Sequence, residues 1–162
     1  MTFHKRTVQV FFLTTAVVGV VAGTGCTSLG HSTANDESHP LQGPALTQAA
    51  LEFGDWQLPS GAKVLLARDD YHRDPNFKLA VEVSPADLTW MLNESKFSKP
   101  FTEGVSAANR EIIAGPPLST SPHAKEAQDM FVSKEGDSMI RAVVIDERTA
   151  NVHIVHLEFR GQ

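Results

Sequence analysis

The chain has 162 residues, of which 41% are hydrophobic and 20% are charged, so it has room for one globular domain and a processed or flexible end. Its formal net charge is −5, and Lys5 and Arg6 are the only basic residues before Cys26. The chain from Cys26 onward therefore carries a charge of −7, which disfavours nucleic acids and anionic lipid surfaces as partners of the folded part. Cys26 is the only cysteine, which excludes a disulfide framework and a cysteine-ligated zinc or iron–sulfur site.

The first 25 residues have the three parts of a secretory signal. Lys5 and Arg6 supply the positive start, residues 7–25 carry no charge and are apolar in the middle, and small residues close the segment. In export signals the positive end stays in the cytoplasm while the apolar stretch enters the bilayer. The sequence therefore predicts that the chain is exported.

The end of this segment resembles the lipobox of bacterial lipoprotein precursors. Thr24 and Gly25 precede Cys26, whereas Gly23 replaces the bulky aliphatic residue usual at its position. The resemblance implies that the Cys26 thiol receives a diacylglyceryl group and that acyl chains such as palmitate hold the protein on the outer face of the cell membrane. Two acyl chains give stable anchoring. An uncleaved transmembrane anchor or ordinary secretion is the alternative, because about 20 apolar residues can span a bilayer.

A flexible tether is predicted to follow the lipidated cysteine. Residues 26–50 are rich in Ser, Thr, Gly, Pro and Asn and contain no large apolar cluster. Such a segment cannot bury enough surface to offset the entropy of ordering. The predicted organisation is therefore a signal peptide at 1–25, a tether at 26–50 and a single globular domain at 51–162.

Two strands are predicted at the start of the domain. Residues 62–68 form an apolar run after a Ser-Gly turn. Residues 77–83 alternate between apolar and polar side chains, which indicates a strand with one buried and one exposed face. The polar residues between these runs predict a loop.

A helix is predicted directly after the second strand. Ser84 suits the cap, Pro85 suits the first helical position, and Asp87 lies three residues after the cap. Leu88 and Met91 then fall on one face at helical spacing. We expect this face to pack on the apolar face of residues 77–83.

The rest of the domain predicts a long loop and an antiparallel meander. Residues 97–122 contain several Pro and Gly and are predicted to be loop-like, with one short strand at 111–114. The meander strands are predicted at residues 130–133, 139–145 and 152–159. The fold class is therefore α+β, with a single antiparallel sheet and one main helix packed on one face.

Three segments together resemble the layout of small lipoproteins of high-GC Gram-positive bacteria. They read WQLPSGAKVLLARDD, FKLAVEVSPADLTWML and RAVVIDERTANVHIVHLEF. In that family a turn and a strand lead into a second strand, a proline-started helix and a late pair of strands. The resemblance implies the same location and fold, but it transfers no functional residue because most of these proteins have no established activity.

The densest group of potential ligands lies in the loop between the first two strands. Carboxylates of Asp69, Asp70 and Asp74, together with His72, could contribute to a calcium site or to catalysis. Arg73 lies inside the group, and the D-x-D-x-D-G order of a calcium-binding loop is absent. A solvated hairpin loop is therefore the favoured interpretation, and no metal or other cofactor is predicted.

Other candidate groups are more scattered. His153 and His156 are three apart on a predicted strand, so they should point to opposite faces and cannot share a metal. His123 could pair with Ser119 or Ser121, but no sequence context that activates a serine surrounds them.

Trp90 lies on the predicted helix, roughly a third of a turn off the line of its apolar face. Packing in the core is the favoured interpretation of Trp90, and an exposed anchor of a binding face is the alternative.

Two classes of function remain open at this stage. The first is a non-enzymatic, surface-tethered binding module whose partner is an extracytoplasmic protein or small molecule. The second is a small exported hydrolase or metal-dependent enzyme that uses the 69–74 loop with a nearby histidine. Convergence of these groups in one concave pocket would favour the enzyme.

Overall fold

A computed structural model describes residues 43–70, 73–134 and 136–162, which form two helices and one six-stranded antiparallel sheet. The predicted α+β class is confirmed. The helices are α1 (Gly43–Phe53) and α2 (Pro85–Glu94). The strands are β1 (Lys63–Asp69), β2 (Asn76–Val83), β3 (Thr102–Glu103), β4 (Ala124–Val132), β5 (Ser138–Asp146) and β6 (His153–Gly161).

The strand order in the sheet is β1-β2-β6-β5-β4-β3. The C-terminal strand β6 lies between β2 and β5, so that Leu157 is opposite both Leu79 and Val143. The predicted meander of β4, β5 and β6 is confirmed. However, β4 begins at Ala124 rather than near residue 130. The sequence did not predict this earlier start because the first residues of β4 are mostly polar and do not alternate clearly. The short strand predicted at residues 111–114 does not form.

The predicted boundary between tether and domain is wrong. Helix α1 begins at Gly43, inside the segment expected to be flexible, and buries Leu46 and Ala50, which are 7% and 1% exposed. Small and polar residues dominate this stretch, yet Leu46, Ala50 and Phe53 recur at helical spacing and pack on the sheet. Residues 1–42, which include Cys26, the predicted signal and the rest of the predicted tether, lie outside the described residues.

Helix α2 starts as the sequence predicts. The Ser84 hydroxyl accepts a hydrogen bond from the backbone N–H of Asp87 at 3.1 Å and donates one to its carboxylate at 2.8 Å. Leu88 and Met91 are buried and belong to the same core cluster as Leu79 and other residues of β2. The predicted packing of this helix is therefore confirmed.

One face of the sheet, which we call the helix face, carries the main core. Both helices and the aromatic residues that follow them pack against alternate residues of the central strands. Trp56 and Phe159 meet at the centre of this core, with ring centroids 5.6 Å apart. The core residues from the strands are Leu79, Val81, Val83, Ala127, Val143, Ile145, Val155, Leu157 and Phe159.

A buried arginine connects the ends of both helices to the sheet. Arg141 on β5 is 1% exposed and makes a two-point ion pair with Asp129 on β4, at 2.9 and 2.6 Å. It also donates to the carbonyl oxygen of Ser95 after α2 at 3.0 Å and approaches that of Gly54 after α1 at 3.5 Å. Helix C-terminal carbonyls attract cations. Arg141 therefore stabilises the position of both helices on the helix face.

The opposite face of the sheet is covered by an irregular segment. This covering loop, residues 104–123, has Gly115, Pro116 and Pro117 at its centre and contains only two short 3₁₀ turns. Its Ile112 and Ile113 lie over Ala142 and other residues on this face. Val143, Val144 and Ile145 are consecutive and all buried because the helices cover one face and this loop covers the other.

Side-chain hydrogen bonds hold the covering loop at both ends. Near its start, Asn109 Nδ2 donates to Glu126 of β4 at 2.7 Å. Near its end, Ser121 and Arg148 both donate to Asp146, at 2.5 and 2.6 Å. Asp146 is fully buried, and Arg148 also donates to carbonyl oxygens of the loop. These contacts fix the loop against the sheet.

Candidate functional site

The structure places the carboxylate of Asp70 in a network of ion pairs. Arg68 Nε lies 2.5 Å from Asp70 and Lys78 Nζ lies 3.2 Å from it, while Glu111 of the covering loop contacts Arg68 at 2.8 Å. Burial alone would raise the pKa of Asp70, but the hydrogen bonds from Arg68 and Lys78 outweigh this and lower it. These ion pairs connect the β1–β2 hairpin to the covering loop, so Asp70 has a structural role.

The other two aspartates of the β1–β2 connection do not form a cluster with Asp70 that could hold a metal ion. Asp69 and Asp74 are exposed, and Asp74 makes a loose ion pair with Arg73 at 3.5 Å. Within the described residues, no group of three or more His, Cys, Asp or Glu side chains could hold a metal ion. His72 lies outside the described residues.

The serine and histidine candidates are separated by their hydrogen bonds. Ser121 donates to Asp146 and to the carbonyl oxygen of His123, so its hydroxyl is not paired with an imidazole. The His123 side chain is 73% exposed and lies 3.9 Å from Glu103. The structure therefore does not form the pairing of His123 with Ser121 that the sequence allowed.

His153 and His156 face opposite sides of the sheet, as predicted. His156 lies beneath the covering loop and is 8% exposed. Burial lowers its pKa from 6.5 to about 4, while the nearby Asp146 opposes the shift and Arg148 adds to it. His156 is therefore neutral at pH 7.

Trp90 is not part of the core. Its side chain is 44% exposed, so the prediction that it packs in the core is wrong. Met91, the next residue, takes the core position. The helical face is narrow enough that a residue a third of a turn away from it reaches solvent.

A wide concave feature of the surface is a groove that the sequence did not predict. It runs between the start of α1 and β1, the outermost strand of the sheet, and encloses about 820 Å³ that is open to solvent. Val64 is 37% exposed on the α1 side of the strand, and Leu66 is 42% exposed on the opposite face. We call this feature the α1–β1 groove. Its lining residues are Gly43, Pro44, Thr47, Gln48, Val64, Leu65, Leu66 and Ala67.

The groove exists because α1 packs beside an edge strand. Leu46 and Ala50 turn one side of α1 into the core, and this leaves Thr47 and Gln48 beside the strand. The run Val64-Leu65-Leu66 resembles a strand buried on both faces, but at the edge of the sheet it is half exposed. The sequence does contain a signal of an edge strand, because the charged residues Lys63 and Arg68 lie on either side of this run.

No protein-family model, curated protein or solved structure matches the chain. Among the described residues, none of the helices has the length and apolar character needed to span a bilayer.

Proposed function

We propose that the chain is an exported lipoprotein whose domain binds a partner outside the membrane and does not catalyse a reaction. The predicted signal and Cys26 support the location, and the resemblance to small bacterial lipoproteins agrees with it. The α1–β1 groove is the observation that carries the binding role, because it combines an open strand edge with exposed apolar side chains. Among the described residues, the polar groups considered for catalysis are instead bound to one another or exposed.

An extended peptide segment of another protein fits this groove best. β1 pairs with β2 on one side, and no other described strand pairs with its outer side. An extended peptide can therefore add as a further strand, with backbone hydrogen bonds for affinity and pockets for alternate side chains. Val64 offers an apolar contact on the side that α1 closes, and Leu66 offers one on the opposite face of the strand.

The charge and the shape of β1 decide between a peptide and a second copy of the chain. A register shift between Val64 and Leu66 interrupts regular pairing, and Lys63 lies at the exposed start of the strand. Bulges and lysines of this kind restrict the pairing of identical sheet edges. Residues 43–162 hold 12 Lys and Arg against 17 Asp and Glu, so two domains of charge −5 also repel each other. A neutral or basic peptide segment is therefore the proposed occupant.

Cys26→Ser tests the anchor. The variant should leave the membrane fraction or accumulate as unprocessed precursor, because the acyl chains cannot attach without the thiol. Fractionation of cells and the size of the protein on a gel measure both outcomes. Membrane retention at unchanged size would mean an uncleaved anchor instead.

Site-specific photo-crosslinking in intact cells tests the groove. A photo-reactive amino acid at Val64 should form a discrete adduct, whereas the same group at Asn93, an exposed residue of α2, should not. Thr47→Trp should fill the groove and remove the adduct at position 64. An adduct that persists in the Thr47→Trp chain, or equal adducts at both positions, would refute binding in the groove without affecting the proposed anchor.

A further inference from the structure

A small cavity lies between the covering loop and the sheet. Asn109, Ile112 and Ile113 of the loop form its roof, and His156 of β6 and Val144 of β5 contribute to its floor. The interior has room for about one water molecule. This size excludes a substrate or an organic cofactor.

Two polar side chains that line this cavity have buried atoms without a hydrogen-bond partner among the described residues. His156 is 8% exposed, and neither of its ring nitrogens has a hydrogen-bond partner in the part of the chain that the structure describes. The same is true of the buried Oδ1 atom of Asn109. The amide of Asn109 is oriented by Glu126, which accepts from Nδ2 at 2.7 Å and leaves Oδ1 for another donor.

We infer that this cavity is a binding site for one ordered water molecule, which connects the His156 imidazole to Asn109 Oδ1. A neutral imidazole offers one donor and one acceptor nitrogen, and an amide oxygen requires a donor. Water supplies both kinds of bond at once, and buried waters typically make two to four such bonds. An apolar occupant would leave these polar atoms unpaired.

The water connects the covering loop to the middle of the sheet. Direct hydrogen bonds already hold the loop at Asn109 and Ser121, and Arg148 donates to the Pro116 and Pro117 carbonyls. Gly115 approaches Ile154 and His156, where a Cβ atom would be 3.4 Å from Ile154 and 3.9 Å from the His156 ring. The bound water adds a polar contact between the loop and His156 of β6.

Nuclear magnetic resonance of the full-length chain in detergent micelles tests the inference. Cross-relaxation should connect a long-lived water to the ring protons of His156 and not to those of His123, whose side chain is 73% exposed. Oxygen-17 relaxation dispersion should count one fewer long-lived water in His156→Leu and an unchanged number in His123→Leu.

The wild-type measurement decides the question even if His156→Leu does not fold. Absence of a long-lived water at the His156 ring in the wild-type chain would overturn the inference. An unchanged number of long-lived waters in a folded His156→Leu chain would overturn it too.

Discussion

Replacement of Arg141 should remove a large part of the stability of the domain. The guanidinium group is buried, and its two-point ion pair with Asp129 and its hydrogen bond to the Ser95 carbonyl are both short. It also lies over the Phe131 ring, 4.3 Å from the centroid. Arg141→Met keeps an apolar side chain but leaves Asp129 and the Ser95 carbonyl without this donor.

The cost of Arg141→Met should be about 3–5 kcal/mol, the range observed when one partner of a buried ion pair is removed. A domain of this size has about 5–15 kcal/mol in total, so the loss is easily measured. Urea unfolding of a chain that starts at residue 27 can be followed by tryptophan fluorescence. Trp56 is a suitable reporter because it is 1% exposed and its ring centroid lies 5.5 Å from the Arg141 guanidinium.

Two further variants separate the ion pair from simple packing. Arg141→Lys keeps the charge but not the planar fork, so its cost should lie between those of wild type and Arg141→Met. The double variant Arg141→Met with Asp129→Leu should be more stable than Arg141→Met alone, because the uncompensated carboxylate is gone. A cost of less than about 1 kcal/mol for Arg141→Met would refute the role of this pair.

Four other predictions concern the core, the buried histidine and the domain boundary. Gly54→Ala should destabilise the domain by roughly 1–3 kcal/mol, because its Cβ would lie 2.7 Å from the Phe159 ring, and thermal melting would measure this. Leu88→Ala should cost roughly 2–5 kcal/mol in the same assay, and an unchanged melting temperature would contradict the packing of α2. Above pH 6.5 His156 is neutral in both the folded and unfolded states. As pH drops from 6.5 to 4, only the unfolded state gains a proton at this residue, so the free energy of unfolding should fall by up to about 3 kcal/mol. Urea unfolding at several pH values measures this, and His156→Leu should lack the contribution. Limited proteolysis should cut before Gly43 and leave α1 intact, and a first cut within residues 43–50 would restore the boundary predicted from the sequence.

The sequence alone determined the elements whose signals are local. The cap at Ser84 with Pro85 and Asp87, and the alternation in residues 77–83, depend on neighbours along the chain, so they were readable before the fold was known. The run Val143-Val144-Ile145 is a local signal as well, because three consecutive apolar residues are typical of a strand covered on both faces.

Only the tertiary structure decided which segments cover the two faces of the sheet and which segments form the α1–β1 groove. Helix α1 has no acidic residue in its first turn and no basic residue in its last turn, so the small and polar composition of the segment suggested a flexible tether. Leu66 and Leu79 belong to similar apolar strand patterns, but β1 lies at the edge and β2 inside the sheet, so one is exposed and the other is buried. The partners of Arg141 come from residues 12, 46 and 87 positions away in the chain, and local sequence carries no signal for contacts at such distances.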